Sequence, residues 1–288
     1  MNVFPALNVS ARPLPILASC RRAQGITTEG QGTMQREEFV QQLWLDYVHQ
    51  HPDVGGLRLW PVEAPAEYLA VLTLNHGPWS MEALLPILLR YGYRPQRRYA
   101  MADRGLLATL LTAPDNDAWV LLAELQLGTL SRQPRERLQQ LVNQADPRQA
   151  RSQALLCHGR PWPMPDWHTY QALQQAHPLA GWLSVMGPRM HHVGFDCQRL
   201  GHDLITLDGQ LQQAGLHGSS DRHHGLFPVS PLLDHRFYAT SSRRLAFAEG
   251  DEHRVNLGGL ALVQKQVSAN QERAAELLLP HHTRCELS

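Results

Sequence analysis

Residues 68–92, YLAVLTLNHGPWSMEALLPILLRYG, contain a strand and a helix in immediate succession, and this pair organises the rest of the chain. Tyr68–Leu74 is a short, mostly apolar run, which is typical of a buried strand. Ser80 is a suitable N-cap, and the apolar spacing after it predicts a helix over 81–91 that ends at Gly92. Three further strands are predicted, at 96–100, 106–112 and 118–125. The order is therefore strand, helix, strand, strand, strand.

The same order of elements recurs about 120 residues later along the chain. A strand over 190–197 precedes a helix over 203–214, and strands follow at 237–240, 243–248 and 255–265, with a hairpin turn at 249–251. Each βαβββ module has a mixed sheet with one face to cover, and pairing the two sheets around a common cavity covers both. We therefore predict an α+β fold of two βαβββ modules with mixed sheets enclosing a cavity, with helices inserted between them.

The predicted organisation is one catalytic-type domain over residues 34–280. Residues 1–33 are rich in Gly, Pro, Ser and Thr, and a helical pattern begins directly after Met34. We expect this leader to be disordered, or Met34 to be the true start. Within the domain we place module one at about 60–130, a helical insert at 131–186, module two at about 187–266 and a C-terminal helix at 269–279, followed by a tail at 281–288.

The composition excludes several classes of partner. With 26 basic and 26 acidic residues the formal net charge is zero, and no basic stripe offers a footprint for nucleic acid. No run of 18 apolar residues is present, so we expect no membrane span. The four cysteines are widely spread without a C-x-x-C pair, which indicates a reducing, cytoplasmic location. Lys265 is the sole lysine, so Schiff-base chemistry would fall to it.

Four stretches together resemble one known family: FVQQLWLDY (39–47), AWVLLAELQLGTLS (118–131), GRPWPMPDWHTYQAL (159–173) and GPRMHHVGF (187–195). The family is that of the 2-oxoadipate dioxygenase/decarboxylases, also called hydroxyglutarate synthases, which are of the vicinal-oxygen-chelate type. The resemblance covers roughly residues 34–279. It implies a small 2-oxo acid as substrate, dioxygen as co-substrate, and Fe(II) held by two histidines and one glutamate, with open positions on one side.

Only one of the three iron ligands that the resemblance implies carries over to this sequence. The family's second histidine matches His192, and we expect its neighbour His191 to point away from the cavity because adjacent strand residues face opposite ways. The first histidine is replaced by Tyr68, and the arginine that would hold a substrate carboxylate is replaced by Leu72. The final strand, GLALVQK at 259–265, contains no carboxylate, and the family's Gln-Ser-Ser stretch is replaced by His-Arg-Phe at 235–237.

Glu124 is the candidate for a rebuilt site, because it lies on the strand equivalent to the one that lost its glutamate. It is costly to bury unpaired, so it would pair with Arg189 or Arg104, or join His192 at a metal. Tyr68 and Glu124 are the candidate catalytic residues, and Arg189 is the candidate for binding a substrate carboxylate. We expect His76 at the end of its strand, toward Ser80.

Three hypotheses follow from this incomplete ligand set. The protein is a 2-oxo-acid oxygenase with rearranged ligands such as His192 plus Glu124. Alternatively, it is a metal-free module that binds a small molecule and has lost the chemistry. The third hypothesis is an enzyme with a different, metal-free reaction.

Overall fold

The computed structural model describes residues 35–57, 66–113, 118–146, 148–149, 155–219, 226, 230, 232–240 and 242–266. The predicted leader, the helix expected at 269–279 and the tail lie outside the described residues. Within them the helices are α1 (Arg36–Gln50), α2 (Pro52–Gly55), α3 (Met81–Arg90), α4 (Arg132–Val142), α5 (Trp167–Ala176), α6 (Pro178–Met186) and α7 (Leu204–Gln213). The strands are β1 (Tyr68–Leu74), β2 (Arg94–Met101), β3 (Leu106–Thr112), β4 (Trp119–Leu125), β5 (Arg189–Asp196), β6 (Gly218–Ser219), β7 (Leu233–Ala239), β8 (Arg243–Ala246), β9 (Glu252–Val255) and β10 (Gly259–Lys265).

Eight of these strands form one mixed sheet in the order β2-β3-β4-β1-β5-β10-β7-β6. The first four strands are module one, and the last four repeat the same order from the opposite side of the sheet. The two modules join where β1 pairs with β5 in antiparallel orientation, whereas β1 pairs with β4, and β5 with β10, in parallel. The predicted α+β fold with two βαβββ modules is confirmed.

The strand assignments of module two differ from the prediction in one respect. Residues 243–246 and 252–255 form a separate two-stranded sheet, and the predicted turn at 249–251 connects them. The second strand of the module is instead the two-residue β6, which pairs with β7. The pattern around 243–255 is locally suited to a hairpin, but only tertiary packing decides whether a hairpin joins the main sheet.

The strands at the join are apolar because both of their faces are covered. All residues of β1, β4 and β5 are buried, as expected for strands with packing on each face. Ser80 caps α3 as predicted, since its Oγ accepts a hydrogen bond from the Ala83 N–H at 3.3 Å. Helix α3 then packs on one face of the sheet, where Thr109 Oγ1 donates to Met81 Sδ at 3.0 Å.

A β-bulge interrupts the pairing of β1 with β5. Ala70 is opposite His192 and Val71 is opposite Met190, so His191 is the extra residue. A bulge re-aims side chains relative to a regular strand. The side chains of His191 and His192 are therefore not directed apart as in a regular strand: the two Nδ1 atoms are 3.1 Å apart, and both rings pack against Phe237.

Candidate functional site

Three polar side chains from three strands meet on the sheet face opposite α3. Tyr68 Oη lies 3.2 Å from His192 Nε2 and 3.2 Å from His235 Nε2. Tyr68 is on β1, His192 on β5 and His235 on β7, so the strands of both modules contribute. We call these three residues the Tyr–His–His cluster.

The sheet register explains why the cluster forms. Tyr68 is directly opposite Gly194, which is two residues from His192 and therefore faces the same way. The pairing of Gly194 continues through β10 to Phe237 on β7, and Phe237 is two residues from His235. The missing side chain at Gly194 is essential, because a Cβ there would overlap the ring of Tyr68. The ring thus lies over Gly194 and carries its hydroxyl to both histidines.

The hydrogen bonds of the cluster continue to a fourth group. The phenol of Tyr68 has one proton, so it donates to one imidazole and accepts from the Nε2–H of the other. The Nδ1 of His192 lies 3.1 Å from the Nδ1 of His191, and one of these two nitrogens donates to the other. His235, Tyr68, His192 and His191 therefore form one continuous hydrogen-bonded chain.

Burial keeps the histidines of this hydrogen-bonded series neutral near pH 7. Desolvation lowers the pKa of His192 well below its usual value, and His191, His235 and Arg104 add smaller shifts in the same direction. Desolvation, with Arg104 again contributing, lowers the pKa of His235 to about 3. Desolvation raises the pKa of Tyr68, so this phenol stays protonated when no cation is bound.

The three residues of the cluster differ in their exposure to solvent. Tyr68 and His192 have no solvent-exposed surface, whereas His235 is partly exposed. The side chain of Arg104 is 10% exposed, and its charge lowers the pKa of both histidines of the cluster. The Nε of Arg104 lies 3.8 Å from Asp103 Oδ2, so this carboxylate offsets part of the positive charge that an anion beside His235 would meet.

Glu124 is placed on the other face of the sheet. It is opposite Thr73 on β1, an odd number of residues from Tyr68, so its side chain faces α3. Its Oε1 accepts from the Met81 N–H at 2.6 Å, and its Oε2 accepts from Gln126 Nε2 at 2.6 Å. Glu124 thus satisfies the first turn of α3 and is not brought to His192.

Arg189 is engaged by a carboxylate of the protein itself. Its Nε donates to Asp46 Oδ2 at 3.1 Å and its Nη2 donates to Asp46 Oδ1, a two-point ion pair between β5 and α1. Gly159 lies against the same guanidinium. The structure does not bring Arg189 to the Tyr–His–His cluster.

Two other residues considered from the sequence also have structural partners. Lys265 forms a buried ion pair with Asp196 at 3.1 Å. His76 is near the surface, where its Nε2 is 2.8 Å from Asn143 Oδ1. Neither of these interactions involves a residue of the cluster.

His235 and Arg104 are the functional candidates that sequence reasoning did not assign. His235 was visible as the replacement of the Gln-Ser-Ser stretch, and that replacement was the available signal. Arg104 gave no comparable signal, because its role depends on the turn between β2 and β3. Within the described ranges, no three or more His, Cys, Asp or Glu side chains are grouped so as to hold a metal ion.

Comparison with solved structures finds a similar fold in several proteins. A provisionally assigned hydrolase from Shewanella frigidimarina matches with a TM-score of 0.72 and 22% identity, over 84% of this chain and 97% of that one. The hydroxyglutarate synthase of Oryza sativa, solved with 2-oxoadipate, matches with a TM-score of 0.70 and 16% identity, over 91% of this chain and 93% of that one. A protein from Ralstonia eutropha provisionally placed in the glyoxalase superfamily has a TM-score of 0.61 and 16% identity, over 87% and 90% of the two chains.

These identities establish the shared fold and not a shared activity. No protein-family model matches the sequence, and no curated protein sequence matches it either. No helix among the residues that the structure describes is long and apolar enough to cross a membrane.

Proposed function

We propose that this protein binds a small 2-oxo carboxylic acid at the Tyr–His–His cluster, as a divergent form of the 2-oxoadipate dioxygenase/decarboxylases. The observation that carries the proposal is the convergence of Tyr68 Oη with two imidazole nitrogens, each at 3.2 Å. Further support is the similarity in fold to a hydroxyglutarate synthase solved with 2-oxoadipate. A 2-oxo dicarboxylic acid such as 2-oxoadipate is therefore the substrate that we propose.

The residues of the cluster suit the keto end of such an acid. A neutral imidazole or the protonated phenol could donate to a keto oxygen in place of one of the hydrogen bonds within the cluster, without the cost of burying an isolated charge. The positive charge of Arg104 would then attract the adjacent carboxylate. In this proposal Arg104 binds the substrate carboxylate. In the resembling family that role belongs to an arginine at the position of Leu72.

The iron site that the resemblance implies is not reproduced by the residues present. The glutamate ligand that the resemblance implies for iron is absent from β10, whose residues are GLALVQK. Glu124 cannot substitute, because it faces α3 from the other side of the sheet. We therefore derive no step through a two-histidine, one-glutamate site.

A metal-free binding module is the second candidate function. The observation in its favour is that Tyr68, His192, His235 and His191 hydrogen-bond to one another. Such a module would bind the acid and release it unchanged. Oxygen uptake and carbon dioxide release distinguish the enzyme from the module.

Calorimetric titration with 2-oxoadipate and with adipate, which lacks the keto oxygen, tests the proposal. We expect 2-oxoadipate to bind more tightly, and Arg104→Gln to weaken its binding about tenfold or more because a charged hydrogen bond is lost. Arg132→Gln, at a side chain 83% exposed on α4, is the matched control and should change nothing. Failure of both acids to bind, or equal binding of both, would contradict the proposal.

A further inference from the structure

We propose that His235, Tyr68, His192 and His191 form a proton relay, in which the three histidines change tautomer together and His191 is the positioning residue at the inner end. The inference deepens the proposed function, because the relay decides whether His235 presents a hydrogen-bond donor or an acceptor to a bound acid. It rests on the proposed function only for the identity of that acid. The tautomers themselves can be measured without any ligand.

Each member of this hydrogen-bonded series can donate and accept at the same time. A neutral imidazole has one N–H and one bare nitrogen, and a phenol donates its proton while its oxygen accepts. Tyr68 Oη lies 3.2 Å from His192 Nε2 and from His235 Nε2, and the Nδ1 atoms of His192 and His191 are 3.1 Å apart. One partner donates in each contact, so the direction of one bond fixes the direction of the next.

Two combinations of neutral tautomers satisfy all three bonds. In the first combination the protons are on His191 Nδ1, His192 Nε2 and His235 Nδ1, and every bond points toward His235. In the second combination they are on His191 Nε2, His192 Nδ1 and His235 Nε2, and every bond points toward His191. The Nδ1 of His235 is a donor in the first combination and an acceptor in the second. The tautomer at one end of the series is thus tied to the tautomer at the other.

The β-bulge on β5 makes the inner bond of the series possible. Side chains of adjacent residues face opposite ways in a regular strand, whereas the bulge brings the rings of His191 and His192 together. Phe237 packs against both rings, with centroids 5.9 Å and 5.4 Å away, and Trp182 packs against His191 at 5.0 Å. These aromatic contacts hold the two rings in place, so a change of tautomer moves protons and not rings.

Burial explains why a relay suits this site. Tyr68 and His192 have no exposed surface, whereas His191 is 7% exposed and His235 is partly exposed, so solvent meets the series at its two ends. A charged imidazole at the centre would be costly, and desolvation accordingly lowers the pKa of His192 well below its usual value. A relay avoids this cost, because each group gains one proton as it gives up another and stays neutral.

The transfer balances atom by atom. When a ligand takes the proton of His235 Nδ1, His235 Nε2 takes the phenol proton of Tyr68, and the phenol oxygen takes the Nε2 proton of His192. The Nδ1 of His192 then takes the Nδ1 proton of His191, and water supplies a proton to His191 Nε2. One proton has entered at His191 and one has left at His235, and the first combination has become the second. A keto oxygen that gains negative charge in a bound 2-oxo acid is a group that would take such a proton.

The test is nitrogen-15 NMR of the full 288-residue chain labelled in its 16 histidine side chains, because Nδ1–H and Nε2–H tautomers have distinct nitrogen shifts. His191→Gln, His192→Gln and His235→Gln each remove one set of signals and so assign the three histidines. Without ligand we expect the first combination, the second, or an average of the two with the same populations at all three residues. A mixed combination, or a charged imidazole at any of the three near pH 7, would overturn the relay.

His191→Phe tests the positioning role directly. Phenylalanine keeps an aromatic ring between Trp182 and Phe237 but cannot accept the Nδ1 proton of His192. A buried N–H without an acceptor is costly, so His192 should carry its proton on Nε2, and His235 should follow with its proton on Nδ1. An Nε2–H tautomer of His235 in the folded variant would contradict the relay.

The matched control replaces a buried histidine outside the series. His51 bonds to Thr240 Oγ1, and His51→Phe should keep the wild-type combination at all three histidines. Circular dichroism establishes that both variants fold. If His191→Phe does not fold, the combination found in the wild-type protein still decides.

Addition of 2-oxoadipate separates the relay from the proposed function. A keto oxygen only accepts hydrogen bonds, so the complex should show the first combination at all three histidines. A complex in which His235 has changed tautomer and His191 has not would overturn the relay. Absence of binding, or a complex held in the second combination, would refute the proposed acid at His235 and leave the relay to stand on the ligand-free result.

Discussion

His51 makes the stability of this protein dependent on pH in a predictable direction. Its ring is buried against Tyr47, with ring centroids 4.4 Å apart, and its Nδ1 lies 2.9 Å from Thr240 Oγ1. Its Nε2 is buried without a hydrogen-bond partner within the described residues. Desolvation, and then the charges of His191 and Arg189, lowers the pKa of His51 to about 3.

The magnitude follows from the difference between the folded and unfolded pKa. In the unfolded chain the pKa of a histidine is about 6.5, so between that value and about 3 the unfolded state binds a proton that the folded state does not. The contribution of His51 to stability is complete above pH 6.5 and is lost as the pH falls. From pH 7 to pH 5 the loss amounts to about 2 kcal/mol for this one residue.

His51→Phe isolates this contribution. Phenylalanine keeps the packing against Tyr47, and Thr240 Oγ1 retains its bond to the Gly258 carbonyl at 3.2 Å. We expect urea unfolding at pH 7 to differ from wild type by at most about 1 kcal/mol. At pH 5 the variant should be about 2 kcal/mol more stable relative to wild type than at pH 7, because it has no proton to bind on unfolding.

The control for this measurement is His76→Gln, at a surface position whose loss should leave the pH dependence unchanged. If wild type and His51→Phe lose the same free energy of unfolding between pH 7 and pH 5, the reasoning from burial is refuted.

Three further predictions concern residues around the site. Glu124→Gln should destabilise the fold by about 1 kcal/mol in urea unfolding, because its carboxylate accepts from the Met81 N–H at the start of α3; an unchanged free energy of unfolding would contradict this role of the carboxylate. Arg189→Ala should cost about 2–3 kcal/mol because the partly buried Asp46 is left unpaired, and calorimetry should show unchanged affinity for 2-oxoadipate; a weakened affinity would restore Arg189 as the carboxylate partner. Gly194→Ala should cost about 1–3 kcal/mol, since the new methyl group displaces the tyrosine ring of the cluster; a variant that melts like wild type would contradict the packing described.

The sequence predicted the architecture because hydrophobic periodicity is a local signal. The strand at 68–74, the Ser80 cap and the helix after it were found where expected, and so was the repeated order of elements. The fold also agrees with the resemblance drawn from four short motifs. The hairpin of β8 and β9 was recognisable locally, but nothing local revealed that it stands apart from the main sheet.

The position of His192 beside Tyr68 was within reach of the sequence, because both were matched to ligand positions of one family. The direction of His191 was not, because a single bulge opposite Ala70 and Val71 overrides the alternation of a regular strand. The same limit applies to Glu124, whose face depends on its register with β1.

The sequence by itself determined the two βαβββ modules and the loss of the expected ligands, since both follow from residue identity and spacing. Only the tertiary structure placed His235 in the cluster and paired Arg189 with Asp46. Tyr68 and His235 are 167 residues apart in the chain and meet through four strands in register. Such a meeting is a property of pairing between distant strands, because a shift of one residue in any of them would turn a side chain to the other face.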